Sequence, residues 1–258
     1  MAATTVRMST PFDLSGKTAV VTGGGRGLGL GISQALLEGG ADVIVFGRRP
    51  IPAVLTERAA SLGRGVHFVA LDLADSEAIA AAVQQVLATH RVDILVNNAG
   101  TQDRFPAVDF PLQAWDRVLN INLRAVFQLC QLFGGPMLDR GEGKIVNLAS
   151  LLSFQGGMTV PAYAASKGAV AQLTKALCNE WSSRGVNVNA VAPGYMTTEM
   201  NGALLADPVR LEQLSTRIPA GRWGQPEDIG NVVVFLASSA ASYVHGQVLA
   251  VDGGWMAR

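Results

Sequence analysis

Lys17-Thr-Ala-Val-Val-Thr-Gly-Gly-Gly-Arg-Gly-Leu-Gly-Leu-Gly-Ile-Ser-Gln-Ala-Leu-Leu-Glu-Gly-Gly40 is a short β-branched run, a glycine loop from Thr22 to Gly29, and an apolar helical pattern ending at a glycine pair. The order is strand, loop, helix. Glycines in such a loop let backbone N–H groups approach a pyrophosphate at the positive end of a helix. The spacing is T-G-x-x-x-G-x-G and not the strict G-x-G-x-x-G of the common dinucleotide fingerprint. By itself the stretch therefore also fits a flexible glycine-rich turn.

Downstream of it, strands and helices alternate without hairpin signals. Strands are expected over residues 17–21, 42–46, 66–71, 92–96, 144–149, 186–191 and 248–251, with helices over about 53–61, 76–89, 112–138, 160–183 and 227–237. That alternation predicts an α/β fold, a doubly wound parallel β-sheet with helices on both faces, in a single domain over 13–258. Residues 1–12 read as a flexible N-terminal tail, and 195–219, which lacks a strand pattern, as a small helical substrate-loop insert over the carboxyl ends of the strands, where ligands of such sheets bind. The tip of the second strand carries Gly47-Arg48-Arg49 and no carboxylate at the position expected for a ribose-binding residue. Asn120 and Asn122 fall inside the long predicted helix, where asparagine is a poor helix former and asks for a reason.

The chemistry concentrates between Ser150 and Lys167. Tyr163 and Lys167 are four residues apart and share a helix face. An ammonium beside a phenol favours the phenolate and lowers a pKa of about 10, so Tyr163 is a candidate general acid/base. Ser150, closing a strand, is placed to share the same substrate oxygen. A tyrosine above a lysine also arises on long helices for packing alone.

Composition excludes several classes. The chain has 258 residues, with 20 Lys and Arg against 20 Asp and Glu and no long block of either sign, which gives no reason to expect nucleic acid or an anionic membrane as partner. The hydrophobic fraction is 49%, yet every apolar run is interrupted before membrane-spanning length. Cys130 and Cys178 read as buried free thiols of a cytoplasmic protein, and His67, His90 and His245 show no metal-ligand spacing. The helices from Leu112 and Val160 carry more apolar positions than one sheet face needs, which predicts burial in a closed assembly.

Together and in order, these motifs resemble the short-chain dehydrogenase/reductases from Asp13 to the C-terminus. The resemblance implies a Rossmann-like fold, a homotetramer of two-fold symmetry, and reversible hydride transfer between a nicotinamide and a secondary alcohol or ketone. It implies a catalytic set of Asn122, Ser150, Tyr163 and Lys167: Tyr163 exchanges the proton, Ser150 hydrogen-bonds the substrate oxygen, Lys167 also holds the nicotinamide ribose, and Asn122 fixes a relay water. The cofactor residues it implies are Thr22, Gly23, Arg26, Gly27, Leu28 and Gly29 in the loop, Arg48 and Arg49, Asp72 and Leu73 near the adenine, Asn98, Ala99 and Gly100, Tyr163 and Lys167, and Pro193, Gly194, Met196 and Thr198. Three cations near the ribose position predict NADP(H) over NAD(H), with NAD(H) still possible. Residues 149–157, 192–196, 218–224 and 250–258 resemble family members acting on sugar acids, so a small keto or hydroxy acid is expected. Its carboxylate would be held by Arg104 or Arg258, with Ser150, Tyr163, Gln155 and Met200 lining the pocket. A 3-oxoacyl carrier-protein reductase, a general carbonyl reductase and a non-catalytic dinucleotide sensor are the alternatives.

Overall fold

Seven strands form one sheet: β1 (Thr18–Thr22), β2 (Asp42–Gly47), β3 (Val66–Ala70), β4 (Ile94–Asn97), β5 (Gly143–Leu148), β6 (Val186–Pro193) and β7 (Val248–Val251). Their order is β3-β2-β1-β4-β5-β6-β7 and every neighbouring pair is parallel. A computed structural model describes residues 10–258, the side chains of Met200 and Ala203 excepted. Residues 1–9 of the expected tail, and the Met200 side chain proposed for the pocket, lie outside the described residues. Pro11 is already tied down, its carbonyl accepting from Ala240 N at 3.0 Å and Ser239 Oγ at 2.9 Å.

Successive strand residues point to opposite faces, so an apolar run feeds two cores at once. On one side Val21, Val43, Val45 and Val96 pack against α1 (Gly27–Glu38), α2 (Ala53–Leu62) and α9 (Pro226–Ala237), through residues such as Leu36, Leu55 and Val233. On the other, Val20, Ile44, Leu95 and Ile145 meet α3 (Ser76–Thr89), α5 (Ala125–Arg140) and α6 (Pro161–Trp181), through Val83, Phe133 and Val170. This is the expected doubly wound, Rossmann-like sheet. No helix among the described residues is long and apolar enough to cross a membrane.

The expected single helix over 112–138 is instead three pieces. α4 (Leu112–Leu119) runs into a π-helical turn at Asn120–Arg124 before α5 begins. The side chain of Asn122 explains the break: buried, it leaves the helix to pair with the Thr101 backbone, accepting from Thr101 N at 2.8 Å and donating to Thr101 O at 2.8 Å. The insert over 195–219 is built of short helices as expected, including α7 (Gly202–Leu205) and α8 (Pro208–Ser215). The C-terminal stretch is packed into the fold. Trp255 is buried in a cluster with Ile218, Trp223 and Leu151, its ring centre 4.7 Å from that of Tyr195 and 4.0 Å from the guanidinium of Arg217.

The strand order reverses between β1 and β4, which opens a crevice at their carboxyl ends. Thr22 fastens its two sides: its Oγ1 accepts from Asn98 N at 3.0 Å and Ala99 N at 2.9 Å, while Asn98 Nδ2 donates to Thr22 O at 2.9 Å.

Candidate active site

The glycine loop lies on one side of this crevice. Gly23 N donates to Phe46 O at 2.7 Å, linking the loop to the end of β2. At Gly29 a Cβ would fall 2.0 Å from Gly23 O, so the loop folds back on the helix start as only a glycine permits. Leu28 and Gly29 occupy the first turn of α1, and Arg26 is its extended N-terminal flanking residue. A Cβ on Gly27 would stand 3.8 Å from Thr198 Cβ, so the first residues of the insert face the loop across a narrow gap. Pro193 ends β6, Gly194 N donates to Val251 O at 2.9 Å, and Met196 is buried in a bridge to Gly224. Arg48 and Arg49 are exposed beyond β2, and Asp72, also exposed, follows β3 with half-buried Leu73 beside it.

At the ends of β4 and β5 the four polar residues converge. The Ser150 side chain stands close enough to the Tyr163 hydroxyl to lower its pKa. Lys167 is buried, with Nζ 5.7 Å from the centre of the Tyr163 ring and donating to Leu148 O at 2.5 Å. A Cβ on Gly100 would stand 3.4 Å from Asn122 Oδ1 and 3.8 Å from Lys167 Nζ, so these three residues enclose one small space. Asn122 Nδ2 also donates to Ser166 Oγ at 3.1 Å, and that hydroxyl donates to Tyr163 O at 2.7 Å, tying the π-turn to the helix that carries the tyrosine.

The electrostatics differ from the expectation that Lys167 lowers the tyrosine pKa. Burial raises the Tyr163 phenol above its ordinary 10, opposed only by the Ser150 side chain. The same burial pushes the Lys167 ammonium down to about 8. Physically, the ammonium is directed at the Leu148 carbonyl, and desolvation acts on both groups. Of the two cysteines, Cys130 is buried, its thiol pushed up to about 12 by burial, whereas Cys178 is only partly buried, contrary to expectation.

The sequence missed several residues. Ser153 forms a reciprocal cap with Ser150, and its Oγ donates to Lys167 O at 2.7 Å, holding the helix against the strand end. Ser153 stands where the usual signature carries Glu or Gln, so the spacing alone did not announce the cap. Thr101 as the partner of Asn122, and Glu199, which pairs with Arg26 at 3.2 Å, carried no local signal. Arg104 is exposed next to Phe105, whose N–H donates to Thr159 O at 3.0 Å just ahead of α6. Gln155 is exposed five residues past Ser150. Arg258 donates to Thr216 O at 3.1 Å on the insert and makes no hydrogen bond to the four convergent residues. No cluster of three or more metal-ligating side chains exists among the described residues.

The chain belongs to the short-chain dehydrogenase/reductases: the family described as enoyl-(acyl carrier protein) reductase matches it over residues 23–256. It is an oxidoreductase of that family. It is 51% identical over 96% of its length to 97% of the 2-dehydro-3-deoxy-D-gluconate 5-dehydrogenase of Bacillus subtilis (strain 168). Among solved structures it superposes with a TM-score of 0.93 on a Beutenbergia cavernae protein, provisionally assigned as an NAD(P) dependent gluconate 5-dehydrogenase, with bound NADP at low occupancy. The two are 52% identical over 96% of this chain and 100% of that one. The gluconate 5-dehydrogenase of Burkholderia cenocepacia J2315, in complex with NADP and tartrate, gives a TM-score of 0.88 at 39% identity over 96% of this chain and 98% of that one.

Proposed function

We propose that this chain transfers a hydride between NADP(H) and a secondary alcohol or ketone of a small sugar acid, as a 2-dehydro-3-deoxy-D-gluconate 5-dehydrogenase does. The observation that carries this reading is the convergence of Ser150, Tyr163 and Lys167 at the ends of β4 and β5, in a chain 51% identical to the Bacillus enzyme.

The residues present fit a dinucleotide. The glycine loop folds back so tightly at Gly29 that no side chain fits there, and Gly100 leaves the space before Lys167 free of side chain. Thr22, Gly23, Arg26, Leu28, Gly29, Asn98 and Ala99 would line the phosphates, Asp72 and Leu73 the adenine, and Pro193, Gly194, Met196 and Thr198 the nicotinamide end. Arg26, Arg48 and Arg49 supply the cations that a 2′-phosphate requires. When bound, the cofactor supplies the hydride chemistry.

The chain's own residues handle the proton. Tyr163, neutral near pH 7, donates to the substrate oxygen in reduction and takes that proton back in oxidation. Ser150 donates a hydrogen bond to the same oxygen, stabilising negative charge that grows there. Lys167, with a pKa of about 8, exchanges protons near working pH, and Asn122 keeps the wall behind it rigid. Arg104 on the rim binds the substrate carboxylate, with Gln155 beside it; Arg258 is the second candidate. An acyl carrier-protein substrate is the competing reading, favoured by the exposed Phe154 and Met158 near the site.

The assembly is a homotetramer, supported by exposed Leu112 and Phe127 along α4 and α5 and by exposed Leu249 on the edge strand β7. A cytoplasmic location is supported by the two free thiols, and the balanced charge supports neither a nucleic-acid nor a membrane partner.

The test is steady-state turnover of sugar-derived keto acids, their neutral amides and an acyl thioester, each with NADPH and NADH. A sugar keto acid with NADPH should give the highest kcat/KM. Faster turnover of the thioester, equal turnover of acid and amide, or NADH at least as efficient as NADPH would each overturn the corresponding part.

A further inference from the structure

Arg26 and Glu199 are 173 residues apart in sequence, yet Arg26 Nη1 lies 3.2 Å from Glu199 Oε2. This is the one ion pair between the glycine loop and the insert among the described residues. Both ends are structurally anchored. Arg26 immediately precedes α1, and its guanidinium, which has no acceptor with which to cap the helix, reaches across the gap. Glu199 opens the first turn of the insert, Glu199–Asn201, which Asn201 Nδ2 pins by donating to Met196 O at 2.8 Å. The neighbouring residues of the two segments, Gly27 and Thr198, face each other directly.

We propose that Glu199 is a counter-anion that competes with the 2′-phosphate of NADP for Arg26, so that the 2′ substituent of the cofactor decides whether the insert is tied to the glycine loop. This rests on the NADP reading given above. The arginine side chain is 56% exposed and the glutamate 73%, so the pair is weak and exchangeable. A phosphate monoester carries more charge than a carboxylate and three acceptor oxygens, and so takes the guanidinium from it. With NAD no such rival exists, and the pair persists. Glu199 thus moderates the preference for NADP that Arg26, Arg48 and Arg49 create, and it couples that preference to the wall over the substrate.

The test measures binding without turnover. NADPH and NADH are titrated by nicotinamide fluorescence against the wild type, Glu199→Gln, Arg26→Gln and the double variant, and hydrogen exchange is followed over residues 199–205. Glu199→Gln should tighten NADPH about two- to five-fold, the worth of an exposed ion pair, and leave NADH unchanged. In the double variant that gain should vanish. Exchange over 199–205 should be faster in the wild-type NADPH complex than in the NADH complex, and equal in Glu199→Gln. Equal changes for both cofactors, weaker NADPH binding, or a gain that survives without Arg26 overturns the competition. If Arg26→Gln leaves the NADPH to NADH ratio unaltered, the competition fails while the assignment as a dehydrogenase stands. If the wild type binds neither cofactor, both fail.

Discussion

Lys167 holds its ammonium 5.7 Å from the centre of the Tyr163 ring and gives its hydrogen bond to the Leu148 carbonyl, not to the phenol. With the phenol raised by burial and the ammonium lowered to about 8, the lysine is the first of the two to lose its proton as pH rises. At neutral pH the site holds a protonated tyrosine, poised to donate. Ketone reduction should therefore be favoured near pH 7, and alcohol oxidation should rise through about pH 8. Lys167→Met should remove that inflection in a pH profile of kcat and weaken cofactor binding as well.

The same group links pH to folding. Its folded pKa of about 8 lies below the ordinary 10.5, so between these values the unfolded chain keeps a proton that the folded one has released. Stability from this group rises with pH across the window, by at most about 1.4 kcal/mol per unit. The Cys130 thiol, raised from 9.0 to about 12, acts oppositely above pH 9.0. Urea unfolding of the wild type minus that of Lys167→Met isolates the lysine. The difference should grow from about pH 8 to about 10.5, and a flat difference would refute its burial as an ionisable group.

Tyr163→Phe keeps the ring and removes the proton carrier. Turnover should fall by about 10²–10⁴, the usual worth of general acid/base catalysis, with cofactor affinity close to that of the wild type. A purified variant retaining most of its activity removes Tyr163 from the mechanism.

Asn122→Leu should cost stability and rate together. It strips both Thr101 backbone groups of their partner, at roughly 1–3 kcal/mol for each group left unpaired, and cuts the link to Ser166. Asn122→Asp keeps the acceptor for Thr101 N and should lose less. Thermal unfolding ranks the two variants; a Leu variant as stable as the wild type contradicts the pairing.

Gly29→Ala places a methyl group where Gly23 O and Asn98 Nδ2 would lie 2.0 and 2.6 Å away. The loop must open, so dinucleotide binding should be lost and stability should drop by about 1–3 kcal/mol, as for an overpacked site. Calorimetry with and without cofactor checks both effects.

The sheet was readable because its strands are buried on both faces, and β-branched runs such as Val20-Val21 and Val43-Ile-Val45 announce that burial directly. The glycine loop and the Tyr163 to Lys167 spacing were readable because they are local. Periodicity continued unbroken through Asn120 and Asn122, so the π-turn was hidden; its cause is Thr101, brought there by the end of β4. Nor does spacing report which way a lysine points: four residues put Lys167 on the face of Tyr163, but the Leu148 carbonyl claims its hydrogen bond. Glu199 lies too far along the chain from Arg26 for any local pattern to join them.

α1 and α9 touch almost backbone to backbone: a Cβ on Gly31 would sit 2.5 Å from Pro226 Cβ, and one on Gly230 would sit 2.8 Å from Gly31 O. Any side chain grown at that seam drives the two helices apart and takes the glycine loop with them. Arg104, Phe154 and Met158, by contrast, are exposed. Randomising these exposed positions should therefore leave the glycine loop intact, which gives directed evolution of this enzyme a clear partition between positions to vary and positions to leave untouched.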